Sequence, residues 1–185
     1  MNRPTSSADA AAFWQFSLMV YSRPQVAACC LGLQDEYGFD VNIVLLCLWL
    51  AQTRGRTVGR TEIEALRAGV ADLNENLVRP IRLARRKARS IIETAPDPQA
   101  GAERRELYAA LKAIELRGER LIQAALIECL GGGDTDGGTE AQAAARASLE
   151  TYRKSIGAPD AAAAILAQLT IRALCRAEGQ SGHIT

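Results

Sequence analysis

The chain has 185 residues, with 22 Lys plus Arg against 21 Asp plus Glu and a formal net charge of +1. That fits one domain or a domain with an appendage, and it excludes a globally basic nucleic-acid binder and an acidic disordered tail. Hydrophobic residues make up 48% and charged residues 23%, enough for a sizeable core. The 33 alanines, and arginine at 19 of the 22 cationic positions, favour helix over strand.

Residues 8–21, with Phe13, Phe16, Leu18, Met19 and Val20, read as a short helix that Pro24 stops while opening the next. Ser22 is placed to cap that second helix. It runs to about Tyr37 and ends at Gly38, where a left-handed residue closes a helix cheaply. Asp40 takes the N-cap position before a helix over 41–52 that is apolar nearly all round, hence central to the core. After a basic, glycine-containing loop at 54–60, Thr61 and Glu64 form a capping box for a helix from about Glu62, which Pro80 breaks or kinks.

A further helix over 80–94 ends at Pro96-Asp97-Pro98, a tight turn that folds the next helix back antiparallel. That long helix, about Ala102 to Leu130, carries Leu107, Leu111, Ile114, Leu121 and Ala125 on one apolar stripe. Gly118 inside it marks a close contact with another helix. Residues 131–138, five glycines, two aspartates and a threonine, read as a linker, and helices over 140–155 and 159–178 follow. The expected fold class is all-α: a bundle-like helical domain of six or seven helices over 8–130, the linker 131–138, and a C-terminal helical hairpin over 139–178.

The inventory excludes much chemistry. His183 is the one histidine, close to the C-terminus, so Ser-His-Asp and Cys-His catalysis and histidine zinc sites lack a candidate. Cys29, Cys30, Cys47, Cys129 and Cys175 form no C-x-x-C pair and lie on apolar helix faces, as reduced, buried thiols do. Gly131-Gly132-Gly133 has no lysine after it and no strand before it, so it is no phosphate loop. No cofactor fingerprint and no metal-ligand set is found. The N-terminus makes a poor signal peptide, and the longest apolar run, 41–51, is about half of the roughly 20 residues a membrane span needs. A soluble, cytoplasmic protein is expected.

Two polar clusters and one aromatic cluster stand out. Gln34, Asp35, Glu36, Asp40 and Asn42 lie between two apolar helices, with Asp35 and Glu36 in a last helical turn that disfavours anions. They are a cation or acid–base site, or they cap and tie the turn while Asp35 pairs with an arginine. Arg79, Arg82, Arg86 and Arg89 occupy an arc of about 80° at 100° per residue. They track phosphates, or form a solvated surface, or Arg82 or Arg86 meets Glu115 and Glu119, four apart on one face of the next helix. Phe13, Trp14, Phe16, Tyr21 and Trp49 wall an apolar pocket or pack the core.

Phe13-Trp14-Gln15-Phe16-Ser17-Leu18, Tyr21, Pro24-Gln25-Val26, Leu33-Gln34-Asp35, Gly38, Asp40-Val41-Asn42 and Leu45-Leu46-Cys47-Leu48-Trp49 together form a pattern. It resembles an uncharacterised bacterial family, mostly proteobacterial, of small helical proteins with an F-W-x-F-S-L, Y-x-x-P and L-Q-D-x-x-G-x-D-V-N signature. A second block is similar: Val78, Pro80, Arg82, Arg85-Arg86-Lys87, Glu115-Leu116, Glu119 and Arg120. The resemblance spans about 13–120 and implies no activity. In that pattern a glycine often follows the proline, where this chain has Gln25.

Three functions remain open at this point. The first is a non-catalytic cytoplasmic interaction protein that binds another protein or copies of itself. The second is a nucleic-acid or polyanion binder acting through Arg79, Arg82, Arg86 and Arg89. The third is a metal-dependent enzyme or small-ligand binder centred on Asp35, Asp40 and Asn42.

Overall fold

In the computed structural model, which describes residues 7–93, 98–130 and 138–174, every described element is helical. The elements are α1 (Ser7–Tyr21), α2 (Val26–Tyr37), α3 (Val41–Arg54), α4 (Arg60–Leu73), a π turn (Asn74–Val78), α5 (Arg79–Glu93), α6 (Pro98–Cys129), α7 (Ala141–Ser155) and α8 (Ala161–Leu174). Because α4, the π turn and α5 run on without a break, these make seven helical rods among the described residues, an all-α bundle-like fold.

The apolar run of α3 organises the packing. Every residue from Asn42 to Ala51 is buried, and α1, α2, α4, α6, α7 and α8 all pack against it. A helix without a polar stripe can satisfy its surface only by being enclosed, and each large side chain so buried contributes about 1.5–3 kcal/mol. Phe13 of α1 packs against Trp49 at 5.5 Å between ring centroids, so these two aromatics serve the core.

The hairpin α7–α8 shares that core. α7 lies on α3 and α4, and α8 on α2 and α3. Tyr152 of α7 meets Phe39 edge-on at 5.1 Å, and Ser148 accepts the Val58 N–H at 2.9 Å. Leu149, Leu166 and Leu169 belong to the same apolar cluster as α3.

The elbow between α2 and α3 is built by two caps. Gly38, at φ 72°, donates its N–H to the Gln34 carbonyl while Phe39 N–H reaches the Leu33 carbonyl, a doubled closure that needs a left-handed residue. Asp40 then turns the chain into α3 by accepting the Asn42 N–H at 2.8 Å.

Other expected caps are absent. Ser22 does not open α2: its hydroxyl donates back to the Met19 carbonyl at 2.8 Å and finishes α1. α2 begins only at Val26, after Gln25 in a left-handed conformation at φ 65°, because Pro24 and the corner occupy the intervening residues. Thr61 and Glu64 make no capping box, since α4 starts at Arg60 with Gly59 as N-cap and no side-chain cap. Glu64 instead accepts from Arg60 on the helix surface.

Pro80 does not break its helix. It lacks the N–H for the Asn76 carbonyl and its ring crowds that carbonyl, and the π turn just before it widens the helix enough for the chain to continue. Arg79 N–H accordingly bonds the Asn74 carbonyl, five residues back.

The long helix departs most from its reading. Leu107, Ile114 and Leu121 are 57%, 47% and 55% exposed, while Ile122, Leu126 and Ile127 are buried. The buried face is turned away from the apparent stripe, and the large apolar residues of α6 that join the core cluster lie in its second half. Gly118 does face a neighbour: a Cβ there would fall 2.8 Å from Val78 Cγ2 in the π turn.

Cys29, Cys30 and Cys47 are buried free thiols, but Cys129 is exposed, at the last residue of α6 where the core ends. Linker residues 131–137, the turn at 94–97, hairpin residues 175–178, Cys175 and His183 lie outside the described residues.

Candidate functional site

The elbow and the π turn face each other across a cleft of about 630 Å³. One wall is Gln34, Asp35, Gly38, Phe39, Asp40, Val41 and Asn42; the other is Asn74, Glu75, Arg79, Pro80, Arg82, Leu83 and Arg86. The acid–amide cluster and three of the four arginines of the basic face, remote in sequence, thus line one space. Arg89, the fourth, is exposed on α5 and is not among the lining residues.

The base of the cleft is a hydrogen-bonded chain through four helices. Gln123 Nε2 donates to Ser17 Oγ at 3.1 Å and to Asn42 Oδ1 at 3.0 Å. Asn42 Nδ2 donates to Glu119 Oε2 at 2.5 Å. Arg82 donates through Nη2 to Glu119 and through Nε to Glu115 Oε1 at 3.1 Å, and Arg85 donates to the other oxygen of Glu115. A chain of this kind is stable in a poorly solvated site only when each member is bonded. It ties α1, α3, α5 and α6 together.

Asp40 carries a second branch. Its Oδ1 caps α3, its Oδ2 accepts from Asn74 Nδ2 of the π turn at 2.5 Å, and its own N–H donates to the Tyr152 hydroxyl at 2.9 Å. Burial pushes the Asp40 carboxyl above its usual range, against the pull of the Asn42 and Asn74 hydrogen bonds. Burial also pushes Glu119 up, and the nearby Asp40 adds to this while Arg82 opposes it. For Arg82, burial alone would lower the pKa, but Glu119 and Glu115 outweigh it and the guanidinium stays charged.

The rim is different. Arg86 Nη2 meets both oxygens of Asp35, at 2.8 and 3.0 Å, with the two side chains 48% and 45% exposed. That hydrogen bond holds the Asp35 carboxyl below its usual range. Arg79 pairs with Glu75 one helical turn away, and both are more exposed still.

The structure therefore divides the sequence candidates. Glu115 and Glu119 take Arg82 and Arg85, whereas Arg86 goes to Asp35. Asp35 and Asp40 turn to different partners, Arg86 for Asp35 and Asn74 for Asp40, and among the described residues no group of three His, Cys, Asp or Glu side chains converges on a common point. Nor does the basic arc present four open guanidinium groups, since Arg82 is withdrawn. Trp14, Tyr21 and Trp49 are not among the residues lining the cleft.

Four participants escaped the sequence reading: Ser17, Asn74, Gln123 and Tyr152. The Ser17 to Gln123 contact spans 106 positions and Asp40 to Tyr152 spans 112. Gln123, polar on the buried face of α6, was the one available signal.

The fold and cleft define a class, an all-helical protein with a polar, arginine-walled cleft over a buried hydrogen-bond network. Residues 12–126 match the model of a family described as "Protein of unknown function (DUF2390)", and the chain belongs to that family. No curated protein and no solved structure matches. The matched stretch holds every residue that lines the cleft, whereas α7 and α8, with Tyr152, lie beyond it. No helix among the described residues is long and apolar enough to cross a membrane.

Proposed function

We propose that the protein is a non-catalytic, cytoplasmic binding protein whose recognition site is the cleft between the α2–α3 elbow and α5, and that its occupant presents a compact anionic group, a carboxylate or phosphate. The observation that carries this reading is the unequal treatment of the arginines. Arg82 is locked at the base by two carboxylates, while Arg79 and Arg86 stand on the rim in exposed pairs. Such exposed pairs contribute about 0–1 kcal/mol. Asp35 or Glu75 therefore yields its arginine to a ligand anion at little cost.

The cleft volume, about 630 Å³, suits a small organic molecule, with Val41, Pro80 and Leu83 available to its apolar part. The acids of the cleft are each engaged with protein groups, which supports binding over turnover. Burial pushes the Cys30 and Cys47 thiols up to about 12, inert thiols that suit a reducing compartment.

A thermal-shift panel of organic carboxylates and phosphate esters tests the reading. It predicts ligands that raise the Tm of the wild type but not of Arg86→Ala or Leu83→Trp, two exposed positions where substitution leaves the fold intact. A panel without any stabiliser, or stabilisation retained in both variants, contradicts it.

A second reading, an enzyme using Asp40 as proton donor, is favoured by the raised Asp40 pKa at the floor of the same cleft. Asp40→Asn separates the two: retained binding with lost turnover supports the enzyme, and retained binding without turnover in either protein supports the binder.

A further inference from the structure

The α5 wall of the cleft has two cationic ends and an apolar middle. Arg79, Leu83 and Arg86 all line the cleft, and at 100° per residue they fall within an arc of about 60° on α5. Arg79 and Arg86, about two helical turns apart on α5, are separated by about 10 Å along its axis. Leu83 lies between them and is 57% exposed, with Val41 on the opposite wall. Arg82 puts no third open charge in the middle, because Glu115 and Glu119 hold it. Both Asp40 oxygens are engaged as well, by the Asn42 N–H and the Asn74 amide.

Each cationic end is filled by a carboxylate of the chain itself. Asp35 sits on Arg86 and Glu75 on Arg79, and all four side chains are at least 45% exposed. Asp35 lies in the last turn of α2, where the helix dipole disfavours an anion. Both acids can therefore turn to solvent when another carboxylate replaces them. One such exchange at a solvated arginine gains little, so a ligand with a single anionic group would bind weakly. Two exchanges made by one molecule reinforce each other, since the first brings the second carboxylate into place, and an apolar chain joining them covers Leu83. A nucleic-acid strand, charged at every nucleotide, would instead set a phosphate against Leu83.

We infer that the occupant of the cleft is an extended dicarboxylate, with one end on Arg79, the other on Arg86 and its apolar chain across Leu83. This rests on the reading of the cleft as an anion-binding site and adds to it the number, the spacing and the linkage of the anionic groups.

Isothermal titration calorimetry of the full chain with succinate, azelate and dodecanedioate, and with nonanoate as the single-headed counterpart of azelate, tests this. Azelate, whose extended length matches the spacing of the two arginines, is expected to bind about tenfold or more tighter than nonanoate or succinate, and tighter than dodecanedioate. Arg79→Ala and Arg86→Ala should each reduce azelate to the nonanoate level. Nonanoate binding as tightly as azelate, and lost in Arg86→Ala, overturns the inference while the anion-binding reading stands. Affinity that climbs from succinate to dodecanedioate without a maximum at azelate, or azelate binding that survives either substitution, also overturns it. So does a failure of every acid to bind, and the phosphate esters of the thermal-shift panel then decide the anion-binding reading separately.

Discussion

The two halves of this molecule are held by different forces. Around α3, ten successive residues are buried and stability comes from apolar area. In the arm made by α5 and α6, Ala88 is the one residue of α5 buried among those described, although the helix is strongly amphipathic. Its attachment is ionic, through Arg82 and Arg85 to Glu115 and Glu119. A protein that spends carboxylates and guanidinium groups in place of leucines at such a joint gains a wall of directed polar groups, and here that wall borders the cleft.

The contrast is sharpened most by Arg82→Ala. It leaves Glu119 recessed without its cation, while Glu115 keeps Arg85, and unpairing a buried ion pair costs about 3–5 kcal/mol, measured by urea denaturation. Arg86→Ala, four residues on, should cost no more than about 1 kcal/mol. Equal losses would break the distinction between base and rim. In the body, Leu46→Ala, fully buried in α3, should cost about 2–5 kcal/mol with no dependence on salt.

Gly118→Ala tests the joint from the apolar side. Helix propensity alone predicts a gain of about 1 kcal/mol. The new methyl group would meet Val78 at 2.8 Å, and overpacking costs about 1–3 kcal/mol, so a net loss of about 1 kcal/mol is expected. A gain would show that the π turn yields easily.

Asp40 adds a pH signature. Its folded pKa is raised, as is that of Glu119, so their contribution to stability is full below the unfolded carboxyl value of about 4 and is lost as pH rises through the folded values. Asp35 and Glu150 act in the opposite sense. Their pKa values are lowered, that of Glu150 to about 2 by the Arg153 hydrogen bond, so their contributions are present above about 4 and lost as pH falls. Asp40→Asn keeps a good N-cap and removes the buried charge. Its stability relative to wild type should therefore rise from pH 4 to pH 8, as read from chemical denaturation at each pH. Asp40→Ala loses the cap as well and should cost about 1 kcal/mol. The smallest effect is expected at Gln25→Gly: a non-glycine residue at φ 65° carries about 1 kcal/mol of strain, so a gain of about 0.5–1 kcal/mol should follow.

The elbow was legible in the sequence because both of its caps are local: Gly38 and Asp40 act on backbone groups a few residues away. The spacing of Glu115 and Glu119 likewise puts both carboxylates on one helix face toward Arg82. What escaped was tertiary. Ser22 and Thr61 have cap-forming side chains, but the corners they sit in are set by Pro24, Gln25 and Gly59. Pro80 reads as a break because nothing local announces that a π turn will absorb it. The apolar period of α6 shows a stripe but not which neighbour, if any, covers it, and the chain from Ser17 through Gln123 to Asn42 joins residues that only the folded bundle brings together.

The account rests most directly on the inequality of the cleft arginines. A titration of the arginine Nε–H signals with a stabilising carboxylate or phosphate ester, followed by NMR, reads each guanidinium separately. The expected result is a saturable shift of Arg86 and Arg79 with Arg82 unmoved on Glu115 and Glu119. Small, unsaturable shifts spread evenly over the surface arginines, or release of Arg82 before Arg86, would contradict it.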